Sequence, residues 1–328
     1  MKPGVVVPWS CVVSLLAPLC LQAQPSDKYP SKPITIIVPF EPGADTDTSA
    51  RLLAKYSEKF LGQRIIIKNK GGAAGILGFN EGVAAPADGY ILTVATPSMV
   101  VTPHTVKGTK HYVKAFDPVF LPVGAPFVFV VNAGSPWKSF RELLDYARSN
   151  PERMRISNTG NAGLVHILSL GLEGAAGVRF THVPYKGSGP GMVALLGGHV
   201  DGMLGAAGTV LQHVKNGKLR ALAIGAPERY SAYAEAPTFK ELGFNVDAST
   251  WWGYVVPKGT PRHIVEVIAS AFRKAIDTPE YKESSDRLLW VIYRQGPEAF
   301  GRFLDERDTQ WSSIINKLVQ EGTLEPSR

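Results

Sequence analysis

The sequence predicts an α/β fold of two domains, in which mixed, mainly parallel sheets are flanked by helices. Three observations predict it: a strand–turn–helix–strand unit near the start, the recurrence of that pattern further along, and the length. The 328 residues exceed the range of about 100–200 that is typical of one domain. The 33 glycines and 25 prolines indicate many tight turns rather than a bundle of long helices.

The first unit begins with a β-branched run at 33–40, which is closed by proline and predicts a buried strand. A turn at 42–47 follows, and apolar residues then recur at helical spacing over 50–60, up to Gly62. A second strand is predicted at 65–67. Strand, helix and strand in this order form a βαβ unit, and such units build parallel sheets.

The same alternation continues to the end of the chain. Two stretches have the spacing of a capping box, Ser139 to Glu142 and Thr238 to Glu241, and each predicts the start of a helix. Further strands are predicted at 90–94, 127–131, 221–224 and 251–256, and further helices at 139–148, 164–172, 192–196, 238–243, 261–276, 279–290 and 297–320.

Residues 1–23 have the pattern of a secretory signal peptide: a basic residue, an apolar stretch, and Ala23 where cleavage would fall. The alternatives are a lipid anchor at Cys20, against which the preceding Leu19 counts, and a membrane span, against which the prolines count. Cys11 and Cys20 are the two cysteines, so the mature chain would have no thiol for a disulfide or a metal. We therefore expect export to the periplasm.

The formal net charge is +7, from 35 Lys and Arg against 28 Asp and Glu. The basic residues are spread thinly, with no run of four or more, so the sequence does not predict a surface that follows a nucleic-acid backbone. We expect no nucleic acid among the partners. A weak long-range attraction for small anions is compatible with this charge.

The sequence carries no recognisable catalytic or metal-binding motif. It has no Gly-x-Ser-x-Gly, His-Glu-x-x-His or Walker sequence. The seven histidines never stand four residues apart with a carboxylate partner, so we expect no metal site and no cofactor. A Ser–His–Asp triad stays open, because its members need not be near one another in sequence.

A glycine- or proline-rich turn precedes a helix three times, after Phe40, after Thr159 and after Lys186. Helix starts carry free N–H groups and a partial positive charge, and small residues let an anion approach them closely. In open α/β sheets such turns lie at the carboxyl ends of the strands, where ligands bind. The turns therefore predict a site that grips a carboxylate without Arg or Lys. The alternative is that the glycines only form tight turns.

Seven motifs, in order along the chain, make it resemble a known family. They are Tyr29-Pro30 to Pro33-Ile34; Val38-Pro39-Phe40-x-Pro42-Gly43 to Asp47 and Ala50-Arg51; Asn69-Lys70-x-Gly72-Ala73-Ala74-Gly75-x-x-Gly78; Asp88-Gly89-Tyr90-x-Leu92; Val183-Pro184-Tyr185-Lys186-Gly187-Ser188; Leu196-Gly197-Gly198-His199-Val200-Asp201; and Pro257-x-Gly259-Thr260-Pro261. The chain resembles the substrate-binding proteins of tripartite tricarboxylate transporters, the Bug or TctC-like family. The resemblance implies a Venus-flytrap fold, like that of type II periplasmic binding proteins, with the ligand between two α/β domains that are joined by two crossing strands.

The resemblance also implies a function. It implies an extracytoplasmic solute-binding protein without enzymatic activity, which captures a di- or tricarboxylate, an aromatic acid or an amino acid. The expected partners are this ligand and either the permease subunits of such a transporter or a sensor ectodomain, and we expect a monomer. The domains are expected at 29–126 with 253–328 and at 127–252, with crossings near Phe127 and Trp252. An extracytoplasmic hydrolase or isomerase that uses the same cleft is the alternative.

By this resemblance, the loop after the first strand grips a ligand carboxylate, largely through backbone N–H groups. The expected ligand-binding residues are Phe40, Gly43, Ala44, Thr46, Asp47 and Ser98 on the first domain, and Asn158, Thr159, Gly160, Asn161, Gly163, His166, Tyr185, Gly187, Ser188 and Asp201 on the second. Structural alternatives stay open for some of them. Asp47 also suits a helix cap, and His166 and Tyr185 also suit packing positions. Asp201 also suits a turn after two glycines.

Two departures from the family pattern concern the ligand. Where the family usually has a second glycine, this chain has Ala44 and then Asp45, which adds a carboxylate beside a loop that binds carboxylates. Either Asp45 points away, or the ligand is less anionic or carries an amine. Ala162 and Gly163 stand where the family usually has Gly and then Ser or Thr, so a hydroxyl donor is lost there.

Overall fold

The structure is a computed structural model, and it describes residues 1, 4, 29–160, 163–226, 228–244, 246, 248–322 and 324. The expected signal peptide at 1–23 lies outside the described residues except for Met1 and Gly4. Asn161, which we expected to bind ligand, and Ala162 beside it also lie outside them.

The described residues form ten strands and eleven α-helices. The strands are β1 (Ile34–Val38), β2 (Ile65–Asn69), β3 (Ile91–Ala95), β4 (Phe116–Asn132), β5 (Arg155–Asn158), β6 (Thr181–Pro184), β7 (Gly202–Ala206), β8 (Leu219–Ile224), β9 (Ser249–Pro257) and β10 (Val291–Gln295). The helices are α1 (Asp45–Leu61), α2 (Ile76–Val83), α3 (Pro97–Thr105), α4 (Tyr112–Ala115), α5 (Phe140–Ser149), α6 (Leu164–Ala176), α7 (Ser188–Leu196), α8 (Ala207–Lys215), α9 (Arg262–Ile276), α10 (Pro279–Arg287) and α11 (Pro297–Gln320).

The strands form one mixed sheet with the order β2-β1-β3-β9-β4-β7-β5-β6, and β8 and β10 also pair with β4. On the flanks, β1 pairs in parallel with β2 and β3, and β5 pairs in parallel with β6 and β7. The pairs made by β4 and β9 are antiparallel. The βαβ units predicted from the sequence thus form the flanks, and two long strands join them.

The strand β4 changes partners in its middle. Up to Pro126 it pairs with β9 and β10, and from Phe127 it pairs with β7 and β8. The returning chain crosses beside it: the Phe127 N–H donates to the Ala248 carbonyl at 2.8 Å, and the Gly225 N–H donates to the Phe127 carbonyl at 2.7 Å. We call β1, β2, β3, β9, β10 and the first part of β4 sheet I, and β5 to β8 with the second part of β4 sheet II. The expected domain limits stay a prediction.

The capping box at Thr238 does not begin a helix, so the prediction of a helix at 238–243 is wrong. The box itself forms: the Glu241 N–H donates to Thr238 Oγ1 at 3.0 Å, and the Thr238 N–H donates to Glu241 Oε2 at 2.7 Å. The chain only turns there, because Gly243 adopts a φ of +90° and ends the helical path. The box at Ser139 does begin a helix, α5, and Ser139 Oγ accepts the Glu142 N–H at 3.2 Å.

Two strands differ from the prediction: β4 is longer than predicted, and β10 follows a helix that ends earlier than predicted. The strand predicted at 127–131 is the end of the longer β4, whose earlier part contains three prolines. Prolines argue against a central strand, but the β4–β9 register shifts around Pro118, and such irregularities tolerate them. The helix predicted to reach residue 290 ends at Arg287, where α10 gives way to a turn and then to β10.

The buried apolar residues form three clusters, and the helices α1, α6 and α7 are each anchored in a different one. Leu53 of α1 packs in the cluster of sheet I and α9, Leu168 of α6 in the cluster that includes α3, α5 and α11, and Leu195 of α7 in the cluster of sheet II and α8. Separate cores therefore fix the three helix starts. None of the helices in the described ranges has the length and apolarity that a membrane span requires.

Candidate functional site

A small cavity of about 50 Å³ lies between sheet I and sheet II. The turns before α1, α3, α6 and α7 meet there, after the carboxyl ends of β1, β3, β5 and β6. Its walls are formed by Phe40, Ala44, Asp45, Thr46, Thr96, Pro97, Ser98, Phe127, Thr159, Leu164, Val165, Ser188, Leu204, Thr250 and Trp252. The structure thus brings together the three turns that the sequence singled out.

A larger cavity of about 580 Å³ adjoins the small one, and Phe40 and Thr159 line both. Gly160 and Tyr185 line its sheet II side, and residues 72–76 line its sheet I side. The volume falls within the range of about 300–1,000 Å³ that is typical of small-molecule sites. The two cavities together offer a narrow end with mixed polar and apolar walls and a wider end.

The starts of α1 and α7 face each other at close range across the small cavity. The Asp45 N–H donates to Ser188 Oγ at 3.3 Å. A Cβ added to Gly187 would lie 3.5 Å from the Ala44 Cβ, and a Cβ added to Gly189 would lie 3.5 Å from the Gly43 carbonyl oxygen. A methyl group at either glycine would thus be in van der Waals contact with the opposite helix start.

Asp47 stabilises the loop before α1 through three hydrogen bonds. Its carboxylate accepts the Gly43 N–H at 3.0 Å, Arg51 Nε at 2.9 Å and Asn69 Nδ2 at 3.0 Å. Burial would raise the pKa of Asp47, but the hydrogen bonds from Arg51, Gly43 and Asn69 outweigh it and hold the pKa below its ordinary value. The Gly43 N–H is therefore used inside the loop. The N–H groups of Thr46 and Asp47 itself lie in the first turn of α1, where a helix supplies no backbone acceptor.

Asp45 faces the cavity and reaches from sheet I to sheet II. Its carboxylate accepts a hydrogen bond from the hydroxyl of Thr209, in the first turn of α8. Burial raises the pKa of Asp45, although the hydrogen bonds from Thr209 and Ser188 lower it in part. Asp45 thus lines the small cavity, and its carboxylate bonds to a residue of the sheet II side.

Two buried polar groups at this site have no hydrogen-bond partner among the described residues. The side chain of Asn158 accepts the Gly160 N–H at 3.0 Å through Oδ1, but its Nδ2 is unpaired. The hydroxyl of Thr96, which lines the small cavity, is unpaired as well. Because a buried unpaired polar group costs about 1–3 kcal/mol, a ligand atom that reached either group would gain a hydrogen bond there.

Gly160 and Gly163, which follow β5, lie close to Ala74 and Ser98 on the opposite side of the cavity. A Cβ on Gly160 would lie 3.0 Å from the backbone of Ala74, and Gly160 has a φ of +123°. A Cβ on Gly163 would lie 3.3 Å from the Ala74 Cβ and 3.6 Å from Ser98 Oγ. Glycine at 160 therefore permits both the backbone conformation and the close approach of the two sides.

Asp201 is the expected site residue that the structure places elsewhere. It accepts three hydrogen bonds from Arg155, at 2.8 Å from the N–H, 3.1 Å from Nε and 2.9 Å from Nη2. Both residues lie at the amino ends of the parallel strands β5 and β7. Asn158 is three residues further along β5, which corresponds to about 10 Å. The residue therefore closes the far edge of the sheet, and we leave it out of the site.

His166 lies in the first turn of α6, and its ring packs against His182 of β6 with centroids 4.5 Å apart. His182 in turn pairs with Glu173 at 3.1 Å. Burial, together with the neighbouring His182, lowers the pKa of His166 to about 4. The neutral ring of His166 thus belongs to a packed cluster beside the cavity wall.

Sequence reasoning missed some residues that line the small cavity or bond to its walls. The Thr96-Pro97 pair carries a readable signal, because threonine before proline is typical of a helix start. Thr209 carries none, since the short helix α8 was not predicted and its partner Asp45 lies 164 positions away. Trp252 was expected at the crossing and lines the cavity from β9.

Residues 49–319 match the model of the tripartite tricarboxylate transporter family receptor. A Cupriavidus necator protein named UPF0065 protein in gbd 5'region is 35% identical over 92% of each chain. Among solved structures, MatC from Rhodopseudomonas palustris with bound malate is 28% identical, with a TM-score of 0.83 over 88% of this chain and 100% of that one. A second R. palustris protein, with adipate, is 25% identical, with a TM-score of 0.83 over 88% and 97%.

These matches confirm the expected fold class and the expected family. The fold is the mixed α/β fold of periplasmic binding proteins, with helices on both faces of a curled sheet. The matched residues extend over most of the chain and include the turns before α3, α6 and α7, whereas the loop before α1 and the first turn of α1 precede residue 49. The chain belongs to the tripartite tricarboxylate transporter receptor family.

Proposed function

We propose that this chain is a periplasmic receptor that captures a small carboxylate between sheet I and sheet II and delivers it to a membrane permease. The observation that carries the proposal is the pair of unpaired buried groups, on Asn158 and Thr96, beside a cavity where helix starts converge. Helix starts and side-chain donors suit an anion. The similar structures that hold malate and adipate support a dicarboxylate-sized ligand.

The two cavities suggest how the ligand lies. The small cavity, at about 50 Å³, has room for one carboxylate group, since a single water takes about 30 Å³. We infer that one carboxylate binds there, near the starts of α1 and α7. The rest of the ligand extends past Phe40 and Thr159 into the larger cavity, where Tyr185 and Gly160 contact it.

Asp45 narrows the class of ligand. A ligand carboxylate beside an ionised Asp45 is repelled, unless Asp45 takes up a proton or the ligand presents a donor of its own. Burial raises the pKa of Asp45, which favours the protonated form. We therefore propose a ligand with a hydroxyl or ammonium group next to its carboxylate, such as a hydroxy acid or an amino acid.

The remaining parts of the proposal follow from the family. Receptors of this family bind and deliver, which supports a role without catalysis. The proposed signal peptide at 1–23 would direct export, and the proposed domains are 29–126 with 253–328 and 127–252. Their limits are supported by the change of β4 partners at Phe127.

Calorimetry on the untagged mature chain tests the function. The panel holds hydroxy dicarboxylates such as malate, plain dicarboxylates such as adipate, amino acids and aromatic acids, and the recovered ligand is analysed by NMR. We expect one ligand per chain, recovered unchanged. Turnover of any member, or absence of binding across the panel, would contradict the proposal.

The variant Asp45→Asn tests the ligand class. Because the pKa of Asp45 is raised in this closed arrangement, closure on an anion is strongest at low pH and weakens as the pH rises through that pKa. For plain dicarboxylates, Asp45→Asn should remove this decrease of the affinity with rising pH. For an amino acid, the ionised Asp45 pairs with the ammonium, so wild-type affinity should hold at neutral pH and Asp45→Asn should weaken it about tenfold. Identical pH profiles in both proteins would refute the role of Asp45.

A further inference from the structure

Two histidines and an aspartate meet on the sheet I side, outside the ligand cavities. His104 lies near the end of α3, His111 precedes α4, and Asp308 lies within α11. His104 Nε2 is 2.8 Å from Asp308 Oδ1, and His111 Nε2 is 3.1 Å from Asp308 Oδ2. One ligand atom from each of the three residues lies within 4.8 Å of the other two. Possible metal ligands from three separate parts of the chain thus lie close together.

The donor set is that of a transition-metal site. Imidazole nitrogen with carboxylate oxygen suits Zn²⁺, Co²⁺, Ni²⁺ and Cu²⁺, whereas Ca²⁺ and Mg²⁺ prefer oxygen alone. Zinc bonds of about 2.0–2.2 Å in tetrahedral geometry separate neighbouring donors by about 3.3 Å. The two contacts with Asp308 are shorter than this by a few tenths of an ångström, so small side-chain rotations would admit an ion.

The cluster is open enough to load and to hydrate an ion. The side chains of His104, His111 and Asp308 are 21%, 37% and 20% exposed, so water can reach them and complete the coordination. Both cysteines of the chain lie in its first 20 residues, so no thiolate of the mature chain competes for the ion. Open sites with three protein ligands and a water are a common zinc arrangement.

We propose that His104, His111 and Asp308 form a binding site for a divalent transition-metal ion such as zinc. The sequence predicted no metal site because the spacing of the histidines gave no signal, and the ligands are 7 and 197 positions apart. The ion would fasten the end of α3 to α11. The start of α3, with Thr96 before it and Ser98 in its first turn, lines the small cavity, and Phe303 of α11 packs on Trp251 of β9.

The test uses the untagged mature chain, stripped of metal with a chelator. Zinc is titrated by calorimetry, and Co²⁺ binding is followed by its visible d–d absorption, which is intense in a tetrahedral site. We expect one ion per chain and a higher melting temperature in zinc. His104→Gln and His111→Gln should each weaken zinc binding at least tenfold and remove the Co²⁺ band, whereas His263→Gln, exposed on α9, should change neither.

Each variant is first melted without metal, so that a folding defect is separated from a binding defect. X-ray absorption of the zinc-loaded wild-type chain gives a readout that needs no variant: we expect two imidazole nitrogens among the ligands. Absence of zinc binding would overturn the proposal, as would an equal loss in His263→Gln. Loss of binding in His182→Gln with His104→Gln unaffected would place the ion at the His182–Glu173 pair and overturn it as well.

Discussion

The two sides of the ligand cavity are built on different principles. On the sheet I side, the loop before α1 satisfies its own polar groups, because Asp47 binds Gly43, Arg51 and Asn69. On the sheet II side, the turn after β5 leaves Asn158 Nδ2 buried and unpaired. The first side satisfies its own polar groups without a ligand, whereas under the proposed function the second would gain its missing hydrogen bond from the ligand. Preorganisation and ligand-dependent bonding are thus divided between the two sides.

The largest effect should come from Asp47, which holds the preorganised side. Asp47→Ala leaves three donors without an acceptor, and we expect the free energy of unfolding to fall by about 2–3 kcal/mol and the ligand affinity to fall about 100-fold. Urea denaturation and calorimetry with the tightest-binding acid of the panel measure the two. Arg51→Ala is the comparison variant, because it removes the bonds of the half-exposed Arg51 to Asp47 and Asn69 but leaves the Gly43 and Asn69 bonds of Asp47 in place.

The same residue predicts a pH dependence of stability. The pKa of Asp47 is lowered in the folded protein, so its contribution is fully present above the ordinary aspartate pKa of about 3.9. The contribution is lost as the pH falls through the lower, folded-state pKa. Asp47→Asn should flatten this acid limb in urea denaturation at several pH values. If Asp47→Ala lowers the free energy of unfolding no more than Arg51→Ala does, the hydrogen bonds of Asp47 do not stabilise the loop before α1.

The next effect tests the ligand-dependent side. Asn158→Asp keeps the oxygen that accepts the Gly160 N–H but replaces the unpaired donor with a carboxylate oxygen. A ligand carboxylate would then meet a negative acceptor, and we expect about 30-fold weaker binding, or about 2 kcal/mol. Asn216→Asp, exposed at the end of α8, is the control for added charge. Equal affinities for Asn158→Asp and the control would mean that the amide does not touch the ligand.

A smaller effect tests the contact between the two sides. Gly160→Ala would place a Cβ 3.0 Å from the backbone of Ala74, so the sides could close only with a shift. We expect about tenfold weaker binding. Gly198→Ala is the matched control, since Gly198 also has a positive φ, of +73°, but open space around it. Calorimetry compares the two, and equal losses would assign the effect to backbone strain instead of closure.

The sequence predicts the sheet I side better than the sheet II side, for a physical reason. The turn before α1 and the end of that helix at Gly62 depend on local chemistry, and local patterns predict them. Whether a motif lies at the cavity or at the far edge depends on strand direction. The glycines before Asp201 resemble those of the binding turns, yet they lead into the amino end of β7 instead of following the carboxyl end of a strand.

Contacts between distant residues carry no local signal. Asp45 and Thr209 bond across the cavity over 164 positions, and no spacing rule connects them. The same holds for His104 and Asp308, which are 204 positions apart. In the first part of β4, prolines argue against a strand, but pairing with β9 forms one nonetheless. Sequence patterns therefore predict which turns are small and polar, but the tertiary fold decides which side chains meet.

The smallest effect should come from Ser188, which links the two sides through Asp45. Its Oγ accepts the Asp45 N–H at 3.3 Å, and its hydroxyl also lowers the pKa of Asp45 in part, so Ser188→Ala removes a weak link and lets that pKa rise further. We expect a loss of about 0.5 kcal/mol in ligand binding, or about twofold, with unfolding nearly unchanged. Calorimetry on Ser188→Ala, with Ser31→Ala as a distant exposed control, measures it. A loss of tenfold or more would show that Ser188 binds the ligand directly. The sheet II side would then hold the ligand itself and would not only contact the sheet I side.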